Sequence, residues 1–414
     1  MVEGLENLSE INQQLKTFNE AIKLILSLKK NIKVGTEEIN LNNSLNRILA
    51  ENLKTLCDNP PMDVSSMDGY AINEKDHHKN KILEVIDESS AGRPSNKNLS
   101  SGKAVRIFTG AAIPKGANKV IIQENIKVLE GKKIQIKKSL DLDNSYIRKK
   151  GVDFKKGKYV ELNRIISPRE VLLLASMGYG RFKVLKKIRI SIITVGNELI
   201  KPGTKNIKNK VYASNAYGLA GLLKKYSCKC KIMPISYDTV PSIRKNLINS
   251  LNYSDLIITI GGASVGNYDL VKSTIEKLCG KFLFEKVNIK PGKPTFAGLL
   301  QQTPIIGLPG NPVSSYVCAQ LFIVPLIKEL FNFKKKSHEV LIAYLNSDIP
   351  RNGSRMHFMR GTLSLINDKN IVTPKKKQDS SLVKTLQESN CLIIRPPFDH
   401  AKIKGDKIEI IKLI

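Results

Sequence analysis

The strongest constraint on the fold is a repeat of buried strand, polar loop and amphipathic helix between residues 186 and 335. The apolar runs KIRISIITV and DLIITI each lead through a loop into a helix, and the helix AYGLAGLLKKY carries Leu219, Leu222 and Leu223 on one face. Strands that alternate with helices in this way predict a parallel, doubly wound α/β sheet. Ligands of such sheets bind at the carboxyl ends of the strands, and the polar motifs of this region follow strand ends.

The flanking segments have a different character. Residues 51–145 contain short β-like runs separated by Gly, Pro, Asn and Ser, which predicts a β-rich lobe. Residues 336–414 return to short strands, which predicts a small C-terminal β-barrel domain. Residues 1–50 have apolar side chains at spacings of three and four and are expected to be helical. Ser167 before Pro168 indicates the start of a further helix. The fold class is therefore predicted to be multidomain α/β plus β.

Composition and charge narrow the class of function. The chain has 67 Lys+Arg against 37 Asp+Glu and a formal net charge of +30, a balance that can indicate nucleic acid, acidic membrane or phosphate. The lysines are spread along the chain and arginine, the usual reader of bases, is scarce, so we expect neither a nucleic-acid nor a membrane partner. The longest apolar stretch is too short to span a bilayer and contains Pro325. No CxxC pair and no secretory signal are visible, so the expected location is cytoplasmic.

Three carboxylates follow three successive strands. They are Glu198, Asp238 and Asp269. Because the carboxyl ends of parallel strands meet at one edge, we expect these side chains to converge on one cleft. Mg²⁺ prefers oxygen ligands and leaves room for substrate phosphates, so Glu198 and Asp269 are the expected metal ligands. Taken singly, each acid is more often a helix cap or a surface charge, and the sequence does not indicate which one acts as a base.

The loop GGASVGN lies between a strand and a helix. Its candidates for contact with a phosphate are Gly261, Gly262, Ser264 and Gly266, because glycines let backbone N–H groups approach an anion at a helix N-terminus. No Gly-Lys-Ser/Thr follows, so this is not a Walker A loop, and the absence of GxGxxG after the first strand disfavours a dinucleotide fold. A glycine-rich turn with no ligand is the alternative.

Two further motifs suit an anion. In VNIKPGKPTFAG, Lys290 and Lys293 flank a Pro-Gly turn that could bind an oxyanion or phosphate, although two exposed lysines are an equal alternative. In GLPGNPVSSY, Pro309 precedes Asn311, a candidate N-cap, and Ser314 lies in the first turn of the helix. This helix N-terminus could bind an anion, although simple capping also explains Asn311.

Seven motifs in order resemble one known family. The lobe motifs SSMDGYAI and RIFTGAAIPKGANKVIIQE join TVGNELIKPG, SNAYGLAGLL, GGASVGNYDLVK, VNIKPGKPTFAG and GLPGNPVSSY. This set resembles the molybdopterin molybdenumtransferase family of the MoeA type, which is shared with the E domain of gephyrin. The resemblance runs across nearly the whole chain. It implies that molybdate is inserted into adenylylated molybdopterin (molybdopterin-AMP) with release of AMP, assisted by Mg²⁺.

The resemblance also implies an elongated homodimer with four subdomains. The α/β subdomain would bind adenylylated molybdopterin, and the β-rich lobe of the partner subunit would complete the site. Other enzymes of the molybdenum cofactor pathway are expected as partners. The implied subdomains are residues 1–50 with 146–185 (helical, dimerisation), 51–145 (β-rich lobe), 186–335 (molybdopterin-binding) and 336–414 (C-terminal β domain).

The resemblance adds candidate catalytic residues. Asp63, Thr109 and Asp153 match functional positions of the family, in the MDVSSMDGYA, TGA and GVD runs. The three strand-end acids and the two KPGKP lysines match as well. One departure is Asn197, which stands where the family usually has Asp and removes a negative charge next to Glu198.

Two other functions stay open. A molybdopterin adenylyltransferase would resemble only the α/β region, and the lobe and C-terminal domain argue against it. A non-catalytic scaffold, as gephyrin is for receptors, is the other alternative. The presence of all three carboxylates argues against the scaffold.

Overall fold

The computed structural model describes residues 15–137, 144–160, 165–205, 208–262, 269–333 and 338–413. The chain packs into two compact units. One comprises Met1–Glu37, Asn46–Ala50 and Val184–Ile414, and the other comprises Glu38–Leu45 and Glu51–Lys183. The division into four subdomains stays a prediction.

The first described helix is α1 (Phe18–Ser27). The Thr17 N–H donates to the Glu20 carboxylate at 2.8 Å, which fixes the start of the helix. A 3₁₀ turn (Leu28–Asn31) ends it, and strand β1 (Thr36–Asn40) follows. The described part of residues 1–50 is therefore less helical than predicted, because TEEIN alternates between exposed and half-buried positions with the period of a strand.

The second unit is built on a six-stranded sheet in the order β6–β3–β5–β4–β8–β7. Its core includes Ile72, Leu83 and Ile134, all buried. Helix α2 begins after Ser167, as predicted, and the Ser167 N–H donates to the Glu170 carboxylate at 2.7 Å. The elements are β2 (Val64–Ser65), β3 (Gly69–Ile72), β4 (Ile82–Ser89), β5 (Lys103–Ile107), β6 (Lys119–Ile122), β7 (Ile126–Leu129), β8 (Lys133–Ile136), β9 (Ile147–Arg148) and α2 (Pro168–Ser176). The unit ends within β10 (Arg181–Leu185).

The α/β region confirms the predicted alternation of strands and helices. Its elements are β11 (Ile188–Thr194), β12 (Leu199–Ile200), β13 (Val211–Tyr212), α3 (Asn215–Lys224), β14 (Cys228–Ile232), α4 (Val240–Leu251), β15 (Leu256–Ile260), α5 (Leu270–Lys277), β16 (Lys281–Phe284), β17 (Ile289–Lys290), β18 (Phe296–Leu300), β19 (Thr303–Leu308), α6 (Pro312–Cys318) and α7 (Val324–Leu330). The sheet order is β14–β11–β15–β19–β18–β16. Its first four strands are parallel, whereas β18 is antiparallel to both of its neighbours, β19 and β16. A two-residue turn joins β18 to β19, and so short a connection permits only an antiparallel pair.

A continuous helix runs through the core from Pro312 to Leu330. It consists of α6, a π-helical segment (Ala319–Ile323) and α7. Among the helices of the described ranges, it alone is long and apolar enough to cross a membrane, but 78% of it is buried inside the protein, as in a core helix. The apolar stretch predicted to be too short to span a bilayer lies within this longer helix. Pro325 is the second residue of α7, where a proline is tolerated, and the π segment before it shifts the hydrogen-bond register.

The C-terminal region forms a closed five-stranded barrel in the order β21–β22–β20–β24–β23, with β23 pairing back to β21. Its elements are β20 (Val340–Leu345), β21 (Met356–Ile366), β22 (Lys369–Pro374), α8 (Val383–Gln387), β23 (Cys391–Arg395) and β24 (Lys407–Lys412). Strand β17 pairs in parallel with β21 and places Lys290 opposite His357. This pairing holds the KPGKP turn of the α/β region against the barrel.

Candidate functional site

A cavity of about 900 Å³ lies at the carboxyl ends of β11, β15 and β19, and we call it the strand-end cavity. Glu198 and Asp238 both line it, together with Gly261 and Gly262. The structure thus brings together two of the three predicted acids and two of the predicted loop glycines. Ser264 and Gly266 lie outside the described residues.

The two glycines are required by the geometry of the cavity wall. Gly261 has φ +84°, and a Cβ added there would lie 2.4 Å from the Val195 carbonyl oxygen. Gly262 has φ +67°, and its Cβ would lie 2.4 Å from a methyl carbon of Val271. The Gly261 N–H donates to the Leu308 carbonyl at 3.2 Å. Gly261 therefore anchors the loop to β19, and any larger residue would intrude on neighbouring atoms.

Asn197 and Asp238 join the ends of two neighbouring strands. The Asn197 N–H donates to Asp238 Oδ2 at 3.0 Å, and the Asp238 N–H donates to Asn197 Oδ1 at 3.0 Å. Asn197, the departure from the family pattern, thus orients Asp238.

The Glu198 carboxylate lies against Gly196. A Cβ added at Gly196 would lie 2.6 Å from Glu198 Oε2. Glu198 is exposed, and within the described ranges its carboxylate makes no hydrogen bond or ion pair. This carboxylate is therefore available to a cation.

Asp269 has a different environment from the other two acids. It is the N-cap of α5, and Oδ1 accepts the Lys272 N–H at 3.1 Å. Lys272 Nζ lies 3.7 Å from Asp269 Oδ2 and 3.2 Å from Glu285 Oε2. Burial raises the pKa of Asp269 above its ordinary value. Asp269 is not among the residues that line the strand-end cavity.

The expected convergence of three acids is therefore seen for two of them. In the part of the chain that the structure describes, no group of three or more His, Cys, Asp or Glu could hold a metal ion. The assignment of Glu198 and Asp269 as metal ligands stays a prediction.

A second cavity, of about 540 Å³, lies between the KPGKP turn and the barrel, and we call it the basic cavity. Four lysine and arginine side chains face one carboxylate there, that of Asp379. Within the described ranges, the Lys290 and Lys293 ammonium groups make no hydrogen bond or ion pair, so both remain free to bind an anion. The cations lining the cavity are Lys290, Lys293, Arg355 and Arg360.

Arg360 is the most unusual of these cations. It is only 2% exposed, and burial lowers its pKa. Nε approaches Gln378 Oε1, and Nη2 approaches the Lys377 carbonyl, only at 3.4 Å. Nη1 is buried without any hydrogen-bond partner among the described residues. A buried guanidinium with a spare donor beside a cavity suits an anionic ligand.

Sequence reasoning did not select Arg355, His357 or Arg360. The available signal was the run SRMHFMR, in which three basic side chains lie at the start of strand β21. The run became informative only once β17 was seen to pair with β21.

The two cavities share a wall formed by Pro294, Pro309 and Asn311. Asn311 occupies the N-cap position of α6, as predicted, but its side chain makes no capping hydrogen bond. Its Nδ2 donates instead to Ser380 Oγ at 2.9 Å. Simple capping therefore does not explain Asn311. Ser314, in the first turn of α6, lines the basic cavity.

Two predicted catalytic acids lie in the second unit. The Asp63 carboxylate accepts the Lys150 N–H at 2.9 Å and Lys149 Nζ at 2.9 Å. The backbone hydrogen bond from Lys150 is the main reason that the pKa of Asp63 lies below its ordinary value. Asp153 Oδ2 accepts Asn59 Nδ2 at 2.9 Å. Both acids are thus held by local contacts, and their catalytic roles stay predictions.

Thr109 is held by a residue that the sequence analysis did not select. Its N–H and Oγ1 donate to Asp68 Oδ1 at 2.7 and 2.8 Å. These bonds lower the pKa of Asp68, and the backbone bond contributes most. Arg106 lies over the rings of Tyr70 and Phe108, about 5 Å from each ring centre. Asp68 therefore fixes the orientation of Thr109 in the lobe.

Comparison with known proteins covers nearly the whole chain. Three family profiles match it: "MoeA N-terminal region (domain I and II)" at residues 16–178, "Probable molybdopterin binding domain" at 191–329 and "MoeA C-terminal region (domain IV)" at 343–413. A molybdopterin molybdenumtransferase of Haemophilus influenzae is 35% identical over 365 residues, which is 87% of this chain and 89% of the relative. One of Staphylococcus aureus is 29% identical over 398 residues, 95% of this chain and 94% of the relative.

A solved structure agrees with these matches. The crystal structure of a molybdopterin biosynthesis MoeA protein from Pyrococcus horikosii superposes with a TM-score of 0.78 at 27% identity, over 96% of this chain and 99% of the other. The predicted fold class and family are both confirmed. The chain belongs to the MoeA family of molybdopterin molybdenumtransferases, enzymes of molybdenum cofactor biosynthesis.

Proposed function

We propose that this enzyme inserts molybdate into adenylylated molybdopterin, with release of AMP, at the junction of the strand-end cavity and the basic cavity. Family membership supports molybdopterin and molybdate as the substrates. One observation carries the placement: Pro294, Pro309 and Asn311 line both cavities. A ligand in one cavity can therefore react with a ligand in the other.

The strand-end cavity suits the phosphoanhydride of adenylylated molybdopterin. Gly261 and Gly262 let a ligand approach the backbone at the sheet edge, which is where ligands of such sheets bind. Glu198 and Asp238 would hold Mg²⁺, because one or two carboxylates plus substrate phosphates are its usual ligands. The bound ion would offset the negative charge of the phosphates. Asp269 suits this role less well, since its carboxylate already binds Lys272.

The basic cavity suits molybdate, a tetrahedral dianion. Lys290 and Lys293 carry ammonium groups without a partner in the described ranges, and Arg360 has an unused buried donor. Charge-assisted hydrogen bonds from these groups would hold the oxyanion against the shared wall. Pterin sulfur atoms placed at that wall would then lie next to the molybdenum atom of the bound molybdate.

Release of AMP tests this proposal. The purified protein receives adenylylated molybdopterin, Mg²⁺ and molybdate, and chromatography follows AMP. We expect AMP release to depend on molybdate and to fall at least tenfold in Lys293→Gln. Lys229→Gln, which removes an equal charge from an exposed position on β14, is the matched control and should retain activity. The proposal would be contradicted if AMP release did not depend on molybdate, or if both variants lost the same share of AMP-releasing activity.

We further propose that the protein acts in the cytoplasm as a homodimer, and that Asp63, Thr109 and Asp153 of one subunit serve the site of its partner. Another enzyme of the same pathway would supply adenylylated molybdopterin. The test mixes Thr109→Ala and Glu198→Gln, each impaired at a Mg²⁺ concentration that saturates only the wild-type protein, after unfolding and refolding them together. Mixed dimers would contain one site with neither substitution, so activity should return. No recovery in proven mixed dimers would contradict the shared site.

A further inference from the structure

His357 occupies a distinctive place in the basic cavity. It lies on β21 and is paired in register with Lys290 on β17 and with Arg395 on β23. It also lines the cavity itself. Each strand that pairs with β21 at this position thus places a charged residue opposite His357. The charged groups around His357 are Lys290, Lys293, Arg355, Arg360, Arg395 and Asp379.

The imidazole is buried and has no internal partner. His357 is 8% exposed, and its ring nitrogens make no hydrogen bond with any residue of the described ranges. Burial, followed by the cations of Lys290, Arg395, Arg355 and Arg360, lowers the pKa of His357 to about 4. At neutral pH the ring is therefore uncharged and has donor and acceptor capacity that the fold does not use.

An anion bound in the basic cavity would favour the protonated form of His357 instead of the neutral form. The cations that now oppose protonation would be offset by the negative charge of the ligand, and a positive imidazolium would gain an attractive neighbour. We propose that His357 takes up a proton when a tetrahedral dianion binds in the basic cavity, and that this uptake strengthens oxyanion binding as the pH falls. The inference rests on the proposed assignment of this cavity to molybdate.

A histidine at this place has a physical advantage over a fifth lysine or arginine in the basic cavity. Four cations against one carboxylate already repel one another when no anion is bound. A histidine adds its charge only when the ligand is present to balance it. The site then binds a dianion with an additional charge-assisted hydrogen bond but does not carry that charge in the free protein.

The sign of the pH dependence follows from linkage. The pKa of His357 in the complex lies above the value of about 4 in the free protein. Affinity is therefore greatest below the free-state pKa and declines as the pH rises through the pKa of the complex. One linked proton changes the dissociation constant by at most about tenfold for each pH unit.

Calorimetry of anion binding tests the inference. Molybdate is titrated into the full-length protein between pH 6 and 8 in buffers of different ionisation enthalpy, and sulfate, which stays a dianion over this range, is titrated in parallel. We expect net uptake of up to one proton per anion, rising as the pH falls. His357→Gln should abolish the uptake and flatten the pH profile. His400→Gln, which alters an exposed histidine on the loop after β23, should change neither.

Each outcome separates the inference from the proposed function. Anion binding without proton uptake in the wild-type protein, or with the same uptake in His357→Gln, overturns the role of His357 and leaves the oxyanion cavity in place. No binding of molybdate overturns both. If His357→Gln fails to fold, NMR titration of the wild-type imidazoles decides the matter, because the chain has only five histidines. One resonance must then titrate at a higher pH with anion than without it.

Discussion

Replacement of Arg360 by methionine should weaken oxyanion binding without weakening the fold. Arg360 is 2% exposed and forms no ion pair within the described ranges, and its Nη1 has no hydrogen-bond partner there. Its backbone is held independently of the guanidinium, since Gln378 Oε1 accepts the Arg360 N–H at 3.0 Å and Gln378 Nε2 donates to the Arg360 carbonyl at 2.9 Å. Arg360→Met would therefore remove a binding group and leave the local backbone contacts intact.

The expected magnitudes follow from these contacts. A hydrogen bond to a charged group contributes about 1.5–3 kcal/mol, so its loss should raise the dissociation constant for molybdate about ten- to a hundredfold. The free energy of unfolding should change in the opposite sense. Removal of a buried charge that has no paired carboxylate relieves its desolvation, and we expect a gain of about 1 kcal/mol or no change.

Arg395→Met is the matched control, because Arg395 is equally buried but fully partnered. It is 1% exposed, forms an ion pair with Asp399, and donates to the carbonyls of His400 at 2.7 Å and Pro350 at 3.1 Å. Arg395→Met would leave the Asp399 carboxylate and these carbonyls without their donor. We therefore expect the free energy of unfolding to fall by about 3 kcal/mol.

The assay for both variants combines calorimetry of molybdate binding with urea unfolding. Midpoints of the transition are compared, because a chain of two compact units need not unfold in a single step. If Arg360→Met lowers the midpoint as much as Arg395→Met, Arg360 is a structural residue. The argument for an anion at its free donor would then fail.

Three further predictions concern the strand-end cavity and the shared wall. Gly262→Ala places a Cβ 2.4 Å from a Val271 methyl, on a backbone with φ +67°. It should destabilise the protein by about 1–3 kcal/mol and abolish AMP release, and unchanged thermal unfolding would contradict this. Glu198→Gln should raise the Mg²⁺ concentration needed for half-maximal AMP release at least tenfold, with stability within about 0.5 kcal/mol of wild type; an unaltered Mg²⁺ dependence would remove Glu198 from the metal site. Asn311→Ala and Ser380→Ala should show a coupling energy of about 1 kcal/mol in a double-mutant cycle of urea unfolding, and purely additive effects would refute the contact at 2.9 Å.

The parallel core of the fold was predictable because each element contains its own periodic pattern. The antiparallel edge was not, since the turn between β18 and β19 reads Gln301–Gln302 and lacks the Asn-Gly or Gly-X signal of a two-residue hairpin. The apolar stretch inside the core helix was predicted to be too short to span a bilayer, although the helix that contains it passes that test of length and composition. Pro325 normally limits a helix, and a π segment that accommodates it leaves no distinct mark in the sequence.

The candidate site was predictable in part, and the limit is physical. Glu198 and Asp238 follow strand ends, so topology alone brings them to one edge. Asp269 also follows a strand, but it starts helix α5, and an acid at that position can cap the helix or bind a metal. Arg360 could not be chosen from the sequence, because its unused donor depends on packing against Gln378, which lies 18 residues further along the chain.

The two cavities hold two anionic substrates that would otherwise repel each other in the proposed reaction. The phosphoanhydride and molybdate are both anions, and two like charges 4 Å apart repel by about 1 kcal/mol in water and by about 4 kcal/mol near a protein surface. The net charge of +30 cannot offset this, because exposed charges are screened beyond about 10 Å at 0.1 M salt. Cations must therefore lie beside the anions themselves, as Lys290, Lys293 and the buried Arg360 do. The uncharged wall of Pro294, Pro309 and Asn311 then lets the two ligands meet without adding a charge between them.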